Sequence, residues 1–127
     1  MGAKELAEVE VIMSTWLLII RVSGEEPLDY ILKPGTNTIG RNNANDIVID
    51  DESASRIHAV IEFDLEKNKI AIHDNDSTNG TFINGRPVRK QLLKHGDMLT
   101  IGTLGFKFID TQALAVGGTR ILLQEEN

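Results

Sequence analysis

A series of short apolar runs with period-two alternation, each closed by Gly, Asn, Asp or Pro, constrains this chain more than any other feature. Successive side chains of a strand point to opposite faces, so Trp16, Leu18, Ile20 and Val22 can share one face of an extended segment. Leu28 to Leu32 is its expected hairpin partner across the polar turn Ser23-Gly24-Glu25-Glu26-Pro27. The pattern recurs at Thr38-Ile39, Ile47 to Ile49, Ile57 to Phe63, Lys69 to His73, Thr81 to Ile83, Met98 to Ile101 and Phe106 to Ile109. Within the run from Ile57, the residues Ile57, Ala59, Ile61 and Phe63 are expected on one face. Asn84-Gly85 signals a tight hairpin between Thr81 to Ile83 and a strand containing Pro87-Val88. No interior segment offers ten or more residues of helical periodicity. The alternation therefore predicts an all-β sandwich of short strands rather than strands alternating with helices.

With 127 residues and 41% apolar content, the chain can enclose one core. Three segments are expected. Residues 1–14 form an extension in which Ala3 to Val11, rich in Ala, Glu and Leu, is either a short helix or disordered. Residues 15–110 form the folded domain, and residues 111–127 form a tail that docks on it or begins a linker.

Charge and composition exclude several function classes. The net charge is -6, but residues 1–32 carry 2 basic and 6 acidic side chains, residues 33–109 carry 10 and 10, and residues 110–127 carry 1 and 3. The middle is neutral and the ends are acidic, whereas a nucleic-acid binder presents a basic face to phosphates. With no cysteine there is no disulfide, thiolate nucleophile or Cys-type zinc site, and a reducing compartment is the expectation. The start carries Glu5, Glu8 and Glu10 where a secretory signal would be cationic. Trp16 to Ile20 is too short to span a bilayer, and Leu6 stands where a myristoylation signal needs Ser or Thr. A cytoplasmic protein without nucleic-acid or membrane partners is predicted.

The chemistry-bearing residues sit at the mouths of the apolar runs, where loops held by a rigid scaffold carry function. Arg41 follows Gly40 and opens the polar stretch Asn42-Asn43-Ala44-Asn45-Asp46; fourteen residues after Arg41 comes Ser55, then Arg56 and His58. Two guanidinium forks and a hydroxyl suit an anion with several acceptor oxygens, such as a phosphate. His58 has no His-x-x-x-His companion and no nucleophile elbow, so it is read as a structural ring whose nitrogens bond backbone and fix the loop carrying Ser55. Asp50, Asp51 and Glu52 read as a solvated face rather than an acid/base pair. A calcium loop starting at Asp74 would need Gly sixth and Glu twelfth, where the chain has Asn79 and Gly85. The segment Asp74 to Gly80 is instead a tight loop in which Thr78 and Asn79 present a hydroxyl and an amide and Gly80 supplies backbone freedom. Nothing forms a catalytic triad, a phosphate-cradling P-loop or a metal cluster, so no enzyme activity, cofactor or metal is expected.

Gly40-Arg41, Ser55-x-x-His58, Asn79-Gly80-Thr81 and Asn84-Gly85, in this order and spacing, resemble the signature of the forkhead-associated (FHA) domain, a phosphothreonine-binding module. The resemblance covers about Trp16 to Ile109 in strand pattern, and its specific part runs from Gly40 to Gly85. It implies a twisted β-sandwich of about eleven strands with the binding loops at one end. It further implies that Arg41 and Ser55 contact the phosphate, with Arg56 as an additional donor. Thr78 would lie beside the phosphate or the threonine, and Asn79 would pin the peptide backbone. Gly40, His58, Gly80, Asn84 and Gly85 would support the loops. A phosphothreonine carries roughly -1.5 to -2 charges and three acceptor oxygens, which fits this donor set.

The function implied is recognition of phosphothreonine peptides or proteins in signalling. The alternative is a domain that docks without phosphate, or against another part of its own chain, as a structural element. Thr119, in Gly117-Gly118-Thr119-Arg120-Ile121-Leu122, is a candidate internal ligand if phosphorylated, with Leu122 three places on.

Overall fold

The computed structural model describes residues 16–21 and 28–114. Eleven strands are found among them: β1 (Trp16–Arg21), β2 (Leu28–Ile31), β3 (Gly35–Gly40), β4 (Ile47–Val48), β5 (Ala59–Asp64), β6 (Lys69–Asp74), β7 (Thr81–Ile83), β8 (Arg86–Val88), β9 (Lys90–Leu92), β10 (Met98–Ile101) and β11 (Leu104–Asp110). A single helical turn, α1 (Thr111–Leu114), follows β11. The strands form a six-stranded sheet in the order β2-β1-β11-β10-β7-β8 and a five-stranded sheet in the order β4-β3-β5-β6-β9. Every pairing is antiparallel except β3 with β4. The expected all-β sandwich is the fold. Among the described residues no helix is long and apolar enough to cross a membrane.

Alternation builds the core. β5 buries Ala59, Ile61 and Phe63, and its partner β6 buries Ile70 and Ile72. From the opposing sheet come Ile83, Leu99, Ile101, Phe106 and Phe108. Each Ile, Leu and Phe among them contributes about 1.5–3 kcal/mol when removed from water, so these inward residues set the strand register.

Three details depart from the sequence reading. The strand expected to start at Ile57 starts at Ala59, and Ile57 is 45% exposed. Its place at the head of the apolar face is lost because His58, fully buried, turns inward just before the strand begins. β9 had no alternation to announce it: Lys90-Gln91-Leu92 is an edge strand with Leu92 63% exposed, held through its pairing with β6. The third departure is α1, which takes the first residues of the expected tail. The expectations for residues 1–14, the turn at 23–27 and the remainder of the tail, including Thr119, lie outside the described residues.

The Asn84-Gly85 signal reads as expected. Ile83 pairs with Arg86, and Asn84 and Gly85 take φ values of 51° and 84°, the two positive values that a two-residue hairpin of primed type requires.

Candidate functional site

The loops β3–β4, β4–β5 and β6–β7 meet at one end of the sandwich and are cross-linked by hydrogen bonds. Arg41 leaves the last residue of β3, and its backbone N–H donates to the Ser55 carbonyl at 3.0 Å. Its Nε donates to the Ala54 carbonyl, also at 3.0 Å. That second bond fixes the guanidinium plane. Among the described residues no acceptor takes the Nη1 and Nη2 groups, and no carboxylate pairs with Arg41 or Arg56.

Gly40 is required here by contact. A Cβ on it would lie 2.3 Å from the Arg56 carbonyl oxygen and 2.9 Å from the His58 nitrogen, because β3 runs against the chain entering β5. The same Arg56 carbonyl accepts from the Asn42 N–H at 3.1 Å and from Asn45 Nδ2 at 2.7 Å. Arg56 thus anchors the β3–β4 loop through its backbone, while its side chain is exposed. The other end of that loop is held by Asp46, which accepts from the Thr38 N–H at 2.8 Å and from Lys33 Nζ at 2.9 Å. Those bonds, the Thr38 N–H foremost, hold the Asp46 carboxyl below the ordinary carboxylate value.

His58 joins two loops. Its Nδ1 faces the Ser55 N–H at 3.0 Å, so Nδ1 must accept, and Nε2, 2.8 Å from the Gly80 carbonyl, must carry the proton and donate. The ring is fully buried with both nitrogens engaged. Ser55 Oγ in turn accepts from the Thr78 N–H at 3.0 Å, which leaves its own hydroxyl proton to donate outward. Asn79 Nδ2 donates to the Ser53 carbonyl at 2.8 Å.

Asp74 organises the β6–β7 loop. Its carboxylate accepts from the Ser77 N–H at 3.1 Å, from the Ser77 hydroxyl and from Thr81 Oγ1 at 2.6 Å, while Ser77 Oγ accepts from the Gly80 N–H at 3.0 Å. Partial burial pushes the Asp74 carboxyl up, but the hydrogen bonds from Ser77 and Thr81 outweigh it and the net shift is downward.

Arg41, Ser55, Thr78 and Asn79 are therefore brought together at one end, with Gly40, His58 and Gly80 among the atoms that join their loops. Asn84 and Gly85 are not. They lie at the opposite end of β7, where Asn84 Nδ2 donates to Asp97 Oδ1 at 3.0 Å and its Oδ1 accepts from the Met98 N–H at 3.0 Å.

Sequence reasoning missed Asp74 and Asp51 as loop organisers. Asp51, expected on a solvated face, is partly buried. It accepts from the Ser53 N–H at 2.8 Å, from the Ser53 hydroxyl, from the Thr103 N–H at 3.1 Å and from Thr103 Oγ1 at 2.6 Å. These bonds hold its carboxyl well below the usual range, the Ser53 hydroxyl contributing most. The readable signals were Asp-x-Ser at 51–53 and Asp-x-x-Ser at 74–77, spacings at which a carboxylate bonds backbone and hydroxyl a few residues on.

The fold and the site define a class: a β-sandwich that presents hydrogen-bond donors from three converging loops. Residues 37–102, just over half of the chain, match the FHA domain model. The chain belongs to the FHA domain family. It is 40% identical over 109 residues to the ABC transporter ATP-binding/permease protein Rv1747 of Mycobacterium tuberculosis, covering 86% of this chain and 12% of that protein. It is 34% identical over 93 residues to the glycogen accumulation regulator GarA of the same organism, covering 73% of this chain and 56% of GarA. Among solved structures it is similar to the yeast Dun1 FHA domain in complex with a doubly phosphorylated (pT) peptide derived from Rad53. That likeness has a TM-score of 0.66 and 26% identity, and covers 79% of this chain and 77% of that one. The curated relatives thus extend well beyond the matched segment.

Proposed function

We propose that the loop cluster binds a phosphothreonine-containing segment of a partner protein, and that the domain acts by recognition without catalysis. The observation that carries this reading is the Arg41 guanidinium, fixed through Nε while Nη1 and Nη2 have no partner among the described residues. Beside it stands Ser55, whose Oγ already accepts one N–H and has its proton to give. A dianion with three terminal oxygens matches that fork and hydroxyl, and charge-assisted bonds of this kind are about twice as strong as neutral ones. In this reading Thr78 contributes its hydroxyl, Arg56 adds a second cation at the rim, and Asn79 uses its Oδ1 and remaining N–H on the peptide backbone. The binding module is residues 15–110, and residues 1–14 and 111–127 flank it.

Family membership supports this assignment, as does the likeness to a domain solved with a phosphothreonine peptide. A ligand made by a protein kinase is in keeping with a cytoplasmic location, which is part of this proposal. Phosphorylated Thr119 is the internal ligand to test beside external partners.

The test is calorimetric titration of the wild type with the best peptide from a degenerate phosphothreonine library, with the same peptide unphosphorylated, and with its phosphoserine form. Binding should require phosphate, and the threonine methyl should add no more than about 1–3 kcal/mol over serine. Equal affinity for phosphorylated and unphosphorylated peptide would remove the reading in favour of phosphate-independent docking.

A further inference from the structure

The β10–β11 hairpin tip is 52 residues from Asp51 in sequence, yet it is bonded directly to the loop that carries Ser55. Ile101 pairs with Leu104, so Gly102 and Thr103 form the two-residue turn, and Gly102 adopts a φ of 61°. Thr103 donates its N–H and its hydroxyl to one oxygen of Asp51, at 3.1 and 2.6 Å. The other Asp51 oxygen takes the Ser53 N–H and hydroxyl. The Asp51 carbonyl takes the Ala54 N–H at 3.0 Å. Gly102 lies so close that a Cβ there would meet Ser53 Oγ at 2.1 Å and Asp51 Oδ2 at 3.0 Å.

From Ser53 and Ala54 the chain of bonds reaches the proposed contacts. The Ser53 carbonyl accepts from Asn79 Nδ2, and the Ala54 carbonyl accepts from Arg41 Nε. Both side chains are thus oriented by carbonyls whose own residues are fixed by Asp51, and Asp51 is held from outside the loop by Thr103. We propose that Asp51 and the Gly102-Thr103 tip are positioning residues for the anion site, setting the placement of Ser53 and Ala54 and through them the aim of Arg41 and Asn79.

The alternative is that the contact only tethers a surface loop. The core and strand pairing do not call for it: Ile101 and Phe106 are buried in the core, and Ile101 pairs with Leu104 across the turn. A carboxylate accepting four donors, two of them from a distant hairpin, fixes a geometry and does not merely shield a charge. Its depressed titration agrees with that degree of engagement.

This inference rests on the phosphothreonine reading for its binding consequence but not for its structural one, and the experiment separates the two. Thr103→Val removes the hydroxyl while keeping shape and backbone N–H; Thr103→Ser restores the hydroxyl; Asp51→Asn removes the charge. Amide spectra of all three, free and titrated with a phosphothreonine peptide, are compared with wild type and with Arg41→Ala. The expected result is that Thr103→Val and Asp51→Asn move the amide signals of Ser53, Ala54 and Ser55 and the side-chain amide of Asn79. Affinity for the phosphopeptide should fall about three- to tenfold, a range typical of residues that act through others. Thr103→Ser should recover both. Unmoved signals in Thr103→Val would overturn the inference, and so would moved signals with unchanged affinity. If wild type ignores phosphate while the signals still move, the function reading fails and the positioning by Asp51 and Thr103 stands.

Discussion

The chain contains two Asn-Gly pairs five residues apart, at opposite ends of β7, and the fold uses them in opposite ways. Asn84 is consumed by the fold. Its amide bonds Asp97 at one end and the Met98 N–H at the other, its own N–H reaches the Met98 carbonyl, and its positive φ makes the hairpin. Asn79 gives one bond, to the Ser53 carbonyl, and is otherwise exposed. The dipeptide alone fixes a tendency to turn; which polar atoms remain for a ligand depends on what the opposing loop presents. β7, only three residues and about 10 Å long, separates Asn84 from Asn79, the proposed peptide contact.

The sharpest way to break this division is Arg41→Ala. Loss of the fixed guanidinium should weaken phosphothreonine-peptide binding by about 100-fold or more. The thermal midpoint should stay near wild type, because the Arg41 side chain is exposed and gives up only the Nε bond to Ala54. Calorimetric titration and a melting curve on the same sample check both halves. A large drop in midpoint would show the two ends to be one cooperative unit.

Asn84→Ala should do the reverse. It removes two amide bonds, leaves the buried Asp97 without a donor it now has, and puts at positive φ a residue lacking the short polar side chain that lets Asn adopt that conformation, together costing about 2 kcal/mol. The midpoint should fall by about 8 °C while affinity for the phosphopeptide stays within twofold. Asn84→Gly separates the causes, since it keeps the backbone conformation and loses only the amide. A tenfold loss of affinity in either variant would put Asn84 back among the supports of the site.

The degree to which these roles were legible follows from what kind of signal each residue leaves. β5, β6, β10 and β11 each bury one face, so their alternation shows in the sequence. β9 buries neither face fully, and Lys90-Gln91-Leu92 leaves no pattern to read. Arg41, Ser55, Thr78 and Asn79 stand out in the sequence because their spacing forms a composite pattern, and the loops that carry them are bonded to one another at one end of the sandwich. Asp51 and Asp74 were passed over because a carboxylate in a polar stretch looks solvated until its partners are known. The Asp51 partner, Thr103, is 52 residues away and cannot be inferred from local spacing. Ile57 was assigned to the core because period two carries straight through His58, and only the burial of that ring shows where the strand begins.

Asn79→Ala should have a smaller effect than Arg41→Ala, about tenfold on affinity. It removes one neutral amide from the peptide and frees the Ser53 carbonyl to bond water, because Asn79 is exposed. The melting curve should shift by less than about 2 °C. Comparison with Asn84→Ala then tests directly whether identical residues at the two ends of β7 divide binding from stability. Equal loss of stability in the two variants would refute the division.

The smallest effect expected is on acid stability. Asp74 has a folded-state value below the ordinary carboxylate value of 3.8, through bonds from Ser77 and Thr81 that exceed the opposing effect of burial. Its ionised form therefore stabilises the fold. That contribution is full at pH values well above 3.8 and is lost as pH falls below it toward the folded-state value. Asp74→Asn should lower the thermal midpoint modestly at neutral pH and flatten the acid limb of the stability curve. The limb should not vanish, because Asp46 and Asp51 are shifted in the same direction. Melting series of wild type and variant from pH 6 down to about pH 2 should converge at the acid end, where the wild-type carboxylate is itself protonated. Parallel curves would mean that the Ser77 and Thr81 bonds do not favour the ionised form.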